Sequence, residues 1–561
     1  MPRVVFVREK KSVQVTRGVT ILDAARQAGV IIESPCNAAG SCGKCMVKIP
    51  CPQHRGLVTT LTTTHAVPED EQKEGCVLAC QSIITGDIEV ETRDYADENQ
   101  SMRILVQGRS FEYDRRPYVR KRPKTEQGKT ETEVYAGEAV IGIEKGDTSK
   151  DVYAIALDIG TTTLVAALID VQSGEQLDVA SELNPQTAYA QDVLSRIHFA
   201  SKDEGLQTLF TVFIDCLNKM IEAMTSRVKI SRAHIYEIVF SGNTAMLHLA
   251  TKTNPYPLGQ YPYTPAISGG QCMPARELGI AVSSFGFVYL PPLISAYVGA
   301  DISSGILVSR LDRAEGRILF IDIGTNGEMV LAAGGKIAAS STAAGPAFEG
   351  MNISCGMRAS RGAIDSFSIH GGEVSFTVIG GAEATGICGS GLLDIAAELA
   401  AAGVIAPNGR FVQPENGAYA PELKDRMRDR DEKKAFFITR DVFLAQKDIR
   451  QIQLAKSAIR TGIELLLAHF NLSPRDITAV EIAGSFGYHL KEQSLLAIGL
   501  LPEEFAGRIY FSGNTSLSGA AAFLLNSDFM DSMRNLVKRI DTVELAGHEN
   551  FDRIFVRHMA F

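Results

Sequence analysis

The chain has 561 residues, a formal net charge of −9, 45% hydrophobic residues and 22% charged residues. That length is too great for one core and fits three or four domains, and the acidic balance argues against a general binder of nucleic acid or of an acidic membrane. No apolar run reaches the roughly 18 residues a membrane span needs. The opening stretch MPRVVFVREKKSVQV alternates like a strand and carries charge where a signal peptide needs an apolar block, so a cytoplasmic protein is expected.

Six of the ten cysteines fall in the first 80 residues, which in a reducing compartment points to metal binding in preference to disulfides. Cys36, Cys42 and Cys45 stand in the spacing C-x5-C-x2-C among glycines and alanines, and Cys80 follows in CVLACQS. Four thiolates with three in one loop fit a [2Fe-2S] cluster. Zinc is the alternative metal, although zinc sites usually come as two short-spaced pairs. Cys51 or Cys76 could replace Cys80 as fourth ligand. Residues 3–7 and 12–16 read as a hairpin. TILDAARQAGV reads as a helix with Thr20 as its cap, and DIEVET as a last strand. The cysteine spacing resembles that of vertebrate-type and bacterial ferredoxins, and the order of elements their β-grasp fold, for residues 1–94. No dinucleotide fingerprint accompanies it, so a self-contained reductase is not expected.

Residues 95–151 change character. DRRPYVRKRPKTEQGKTETE is polar and proline-bearing and reads as a linker; its basic run from Arg115 to Lys124 could instead dock on an acidic partner. MRILVQG and EAVIGIE on either side read as strands of a small middle module. A tether here would let the front domain swing between donor and acceptor.

After Asp151 one theme occurs twice. VYAIALDIGTTTLVAALID and RILFIDIGTNGEMVLAAGG are each an apolar strand, a tight Asp-Ile-Gly-Thr turn and a second apolar strand. Gly160 and Gly324 allow the turn. The backbone N–H groups and hydroxyls of Thr161, Thr162, Thr325 and the neighbouring Asn326 can cradle phosphate. Asp158 and Asp322 at the strand ends are the candidate catalytic residues, holding Mg2+ through water or orienting an attacking water. A third motif, VEIAGSFG, carries Gly484, Ser485 and Gly487 after a buried strand. Together these resemble the actin-like ATPase superfamily, a duplicated RNase H-like fold of two lobes, expected here at 152–310 and 311–561. The resemblance implies ATP between the lobes, with the third motif at the adenosine. YVGADISSGILVSRL reads as the helix crossing between them.

Further stretches are dense in glycine. AAGPAFEGMNISCGMRA and GICGSGLLD read either as tight turns or as contacts to nucleotide or partner; the second offers Gly386, Gly389, Ser390 and Gly391. Asn243 and Thr244 in SGNTAMLHLA, and Lys456, are candidates to face the cleft. Cys355 and Cys388 read as small core residues, and His198 and His248 as helix-surface and core histidines.

A cluster domain joined to an ATPase makes physical sense when electron transfer is uphill. For one electron, roughly 59 mV of unfavourable potential costs about 1.4 kcal/mol. The ensemble of a [2Fe-2S] front domain, a linker and middle segment, and an ATPase bearing DIGTTT, DIGTNGE, GPAFEGMNISCGMRA, GICGSGLLD, AGSFG and GNTSLSGA resembles the reductive activators of corrinoid proteins. That resemblance implies a cluster on Cys36, Cys42, Cys45 and Cys80. It implies ATP bound by Asp158, Gly160, Thr161, Thr162, Asp322, Gly324, Thr325, Asn326, Gly484 and Gly487. It implies reduction of an inactive Co(II) corrinoid protein of a methyltransferase system to Co(I), fed by a low-potential donor, and it leaves a homodimer open. Ser354 and nearby residues of the glycine-dense loop are the candidates to contact cobalt. Two other readings stand beside it: a nucleotide-gated redox sensor or assembly factor, and a small-molecule kinase with a fused ferredoxin domain.

Overall fold

The structure is a computed structural model. It describes all residues except 31, 33, 35–37, 39, 41–42, 62–66, 68, 93–107, 431–432, 485–489 and 546, and the backbone alone of 69, 70 and 433. Cys36, Cys42, Ser485, Gly487 and most of the stretch MRILVQG therefore lie outside the described residues.

In the front domain, β1 (Arg3–Phe6) pairs antiparallel with β2 (Lys11–Gln14). Val4 and Phe6 alternate inward with Arg3 outward, the period-2 pattern of a half-buried strand. α1 (Ile21–Gln27) begins where Thr20 Oγ1 accepts from the Asp23 N–H at 3.1 Å and buries Ile21, Leu22, Ala24 and Ala25. β3 (Met46–Lys48) pairs with β4 (Cys76–Leu78), and β5 (Ile88–Val90) closes the sheet parallel to β1. This domain has its own hydrophobic core, from Val4 to Val90.

The polar stretch read as a linker is instead folded. β6 (Val119–Glu126), β7 (Lys129–Ala136) and β8 (Ala139–Lys145) form an antiparallel sheet. Composition misled because most of the charges occupy the solvent side, while Val119 and Val134 point into a core shared with the chain beyond residue 151. Lys121, buried, donates to Glu144 at 2.8 Å and lies 4.6 Å from the Tyr236 ring centroid; the Tyr236 hydroxyl also donates to Glu144. The basic run is thus partly consumed inside the protein.

Two six-stranded sheets follow. The first holds β9 (Tyr153–Ile159), β10 (Thr163–Asp170), β11 (Gln176–Leu183), β12 (Ile235–Gly242), β13 (Gln271–Pro274) and β14 (Phe287–Leu290), in the order β11-β10-β9-β12-β14-β13. Between its strands run α2 (Val193–Phe199), α3 (Asp203–Val228) and α4 (Thr244–Ala250). α5 (Ala300–Val308) then leads to the second sheet. That sheet holds β15 (Ile318–Ile323), β16 (Gly327–Ala333), β17 (Lys336–Thr342), β18 (Ala479–Ala483), β19 (Ile509–Gly513) and β20 (Ile540–Thr542), in the order β19-β18-β15-β16-β17-β20. In both sheets three antiparallel strands precede two parallel additions, so the duplicated hairpins come to equivalent places. Lobe two also carries α6 (Gly389–Ala401) and α7 (Gln446–His469).

Packing departs from chain order at one point. α8 (Thr515–Leu525) follows β19 of the second sheet but packs on β9 and β12 of the first and on α5. A division of the lobes at residue 310 follows the chain, whereas the core does not: one cluster joins Ala154 and Val239 to Phe320 and Phe523.

Candidate functional site

The hairpins β9–β10 and β15–β16 face each other across a cavity of about 190 Å³. Each turn closes on itself: the Gly160 N–H donates to the Thr163 carbonyl and the Gly324 N–H to the Asn326 carbonyl, both at 2.9 Å. Asp158, Gly160, Thr161, Thr162, Asp322, Gly324, Thr325, Asn326, Gly389, Ser390 and Gly484 all line the cavity. Gly386 and Gly391 do not. A Cβ on Gly391 would come within 2.2 Å of the Ile364 carbonyl oxygen, and one on Gly386 within 2.7 Å of that of Cys355, so both serve close packing behind the wall.

The two aspartates differ. Asp158 Oδ1 accepts from Ser516 Oγ at 2.7 Å and Oδ2 from Asn514 Nδ2 at 2.9 Å, both groups at the start of α8. Burial raises its pKa against these donors. Asp322 has no comparable donor among the described residues. Burial first, then Asp301 and Asp158, push its carboxyl to about 8. Asp301, on α5, is pushed to about 7 by burial and by Asp158, and Glu328 is raised well above the usual carboxylate range by burial, Asp301 and Asp322. Asp158, Asp301, Asp322 and Glu328 thus all border the cavity, although no three of the described His, Cys, Asp or Glu side chains come together as a ready-made metal site.

Glu349 bridges the hairpins. Its Oε2 accepts from Thr162 Oγ1 and its Oε1 from Thr325 Oγ1, each at 2.5 Å. Arg358 is the one basic side chain among the described residues of the lining. Beneath the first hairpin the fully buried Arg196 donates to the Thr161 carbonyl at 2.6 Å and the Ala190 carbonyl at 3.0 Å. Burial pulls its pKa down to about 9.

Asn243 reaches the cavity and donates to Thr161 Oγ1 at 3.2 Å, while Thr244 turns away to the Ser295 carbonyl. Lys456 does not face the cleft: it is buried and donates to the Ala560 carbonyl. His248 is a core residue bonded to Thr244 O and the Ala266 N–H. Cys388 is buried as expected but borders the cavity. Ser354 is bound to Asp448 by both its N–H and its hydroxyl.

Asp301, Glu328, Glu349, Asn514 and Ser516 were not singled out from sequence. One signal was there: Ser-Gly-Asn-Thr occurs twice, at 241–244 and 512–515, each time at a strand end opening a helix. Each Asn caps its helix, accepting from the Met246 N–H at 3.0 Å and the Leu517 N–H at 2.9 Å.

In the front domain Cys45 and Cys80 bring their Sγ atoms to 3.2 Å, both buried. That exceeds a disulfide bond by over about 1 Å and lets two thiolates converge on one ion. The register explains the pairing. β3 and β4 run from Met46↔Leu78 to Lys48↔Cys76, so Cys45 and Cys80 extend one end of the ladder. Cys76 lies at the other end, about 10 Å along a strand at 3.3 Å per residue. No disulfide joins two of the eight described cysteines. No helix among the described residues is long and apolar enough to cross a membrane.

Three family models match the chain: a 2Fe-2S iron-sulfur cluster binding domain at 5–85, the RACo middle region at 153–314, and the C-terminal domain of RACo, the ASKHA domain, at 317–561. The "Corrinoid activation enzyme RamQ" of Eubacterium limosum is 29% identical over 100% of this chain and 99% of its own. The "[Co(II) methylated amine-specific corrinoid protein] reductase" of Methanosarcina barkeri is 25% identical over 73% of this chain and 77% of its own. A solved structure, "Reductive activator for corrinoid,iron-sulfur protein", aligns with a TM-score of 0.73 at 29% identity, covering 100% of this chain and 98% of that one.

Proposed function

The chain belongs to the reductive activators of corrinoid proteins, and on that premise we propose that it couples ATP to the transfer of one electron onto the Co(II) corrinoid of a methyltransferase-system protein, restoring Co(I). The observation that carries the reading is the union, in one chain, of a buried cysteine pair at 3.2 Å and a cleft between two Asp-Ile-Gly-Thr hairpins. A [2Fe-2S] cluster on Cys36, Cys42, Cys45 and Cys80 would supply a one-electron carrier near about −400 mV if plant-type in potential. An acceptor more negative than that fills poorly, so a difference in binding between nucleotide states has to supply the drive.

The residues divide the work. Thr161, Thr162, Thr325 and Asn326 hold the phosphates by hydroxyl, amide and backbone N–H groups. Gly484, with Ser485 and Gly487, serves the adenosine side, and Gly389 and Ser390 complete the wall. Asp158 and Asp322 would hold Mg2+ through water, and its charge would favour the ionised form of carboxyls that burial above all keeps protonated. Asp322, without the donors that occupy Asp158, is the group to receive a proton from the attacking water. The electron comes from a low-potential donor in the cytoplasm.

The test is direct. Anaerobically purified protein, given a low-potential reductant and a Co(II) corrinoid protein, should form Co(I) only with ATP, followed by its visible absorption. Equal rates without ATP would remove the proposal. The kinase alternative would show instead as ADP formation dependent on a small organic substrate.

A further inference from the structure

The front domain touches both ATPase lobes. Arg26 on α1 donates from Nε to the Ala188 carbonyl of lobe one at 2.8 Å. Lys44, next to Cys45, donates from Nζ to the Gly356 carbonyl of lobe two. Each acceptor sits a short step from the nucleotide cavity. Ala188 ends a turn that begins at Asn184, whose Nδ2 donates to the Gly160 carbonyl at 2.8 Å. Gly356 adjoins Met357 and Arg358 of the cavity lining, and its segment is fixed to lobe two by Ser354 on Asp448 and by the Met357 N–H on the Ile387 carbonyl. The two acceptors therefore ride with their lobes. A front domain with its own core, gripping both, fits one separation of the lobes.

Glu349 holds that same separation from inside. Its carboxylate ties Thr162 of lobe one to Thr325 of lobe two. Those are the hydroxyls a phosphate needs, and a phosphate is an anion that cannot share the place with a carboxylate. Nucleotide and the Glu349 bridge compete.

We propose that Arg26 and Lys44 are positioning residues that staple the front domain across the lobes in the state bridged by Glu349, and that nucleotide exchanges this state for one with a staple undone. The inference rests on the ATPase reading and adds to it a route by which the cleft controls where the cysteine loop sits. Linkage makes it measurable: if nucleotide weakens the staples, removing a staple strengthens nucleotide binding by the same factor.

The experiment is calorimetric titration of the full chain with the non-hydrolysable analogue AMPPNP and Mg2+. Lys44→Met and Arg26→Met should each bind at least about five-fold more tightly than the unaltered chain. Glu349→Gln should also bind more tightly, and Lys44→Arg, which keeps a donor, should behave as the unaltered chain. An unchanged visible spectrum in each variant verifies an intact front domain, a readout independent of turnover. Affinities of Lys44→Met and Arg26→Met equal to that of the unaltered chain overturn the inference while leaving the ATPase reading standing. An unaltered chain that binds no AMPPNP removes both.

Discussion

Asp158 and Asp322 hold equivalent places in the two hairpins and yet are chemically different, because only Asp158 is met by donors from α8. The consequence is a pH dependence. Asp301 and Asp322 titrate near 7 and 8 in the folded chain, against an ordinary 3.8. Between about pH 4 and 8 the folded chain keeps protons that the unfolded chain has released. Stability from these groups is therefore greatest at the acid end and falls as pH rises through 7 and 8. The nucleotide-free protein should melt at a lower temperature at pH 8 than at pH 6. Asp322→Asn should flatten that difference while lowering ATP hydrolysis by about 10²-fold or more; melting by circular dichroism and a phosphate-release assay check both. At the other site the ladder register singles out Cys80 beside Cys45. Cys80→Ser should lose the binuclear iron signal in electron paramagnetic resonance, and Cys76→Ser and Cys51→Ser should keep it.

The hairpins look alike as elements but tolerate change differently. A Cβ on Gly160 would lie 2.6 Å from the Thr163 carbonyl oxygen, within its own turn, whereas one on Gly324 meets nothing nearer than 3.8 Å. Gly160→Ala should cost on the order of 1–3 kcal/mol in stability and weaken nucleotide binding, while Gly324→Ala should stay within about 0.5 kcal/mol. Urea unfolding and AMPPNP titration of the two variants read the contrast. Elements also explain where composition fails. The stretch from Asp114 to Glu133 has the residues of a linker, but β6 and β7 need only Val119 and Val134 inward to be held, because the ATPase supplies the rest of the core. A count within the stretch cannot register apolar surface contributed by a segment far along the chain.

At the scale of the molecule two kinds of cohesion coexist. The front domain's core is its own, while the middle sheet and both lobes share one cluster running from Val119 to Ile540. Scanning calorimetry should resolve the front domain from a single larger transition for the remainder. AMPPNP at about 100 times its Kd should stabilise that larger unit by about 2.7 kcal/mol and barely move the smaller one.

The sequence by itself determined the repeated hairpins, the buried strands that carry them and the cysteine-rich loop, because each is a local pattern: glycine at a turn, apolar runs, thiols at short spacing. Only the tertiary structure decided which acids line the cavity with Asp158 and Asp322, that α8 crosses back to the first sheet, that Glu349 ties Thr162 to Thr325, and that Lys456 turns from the cleft. Those facts depend on where distant segments meet, and a burial or a hydrogen bond between residues hundreds of positions apart leaves little trace in the spacing around either one.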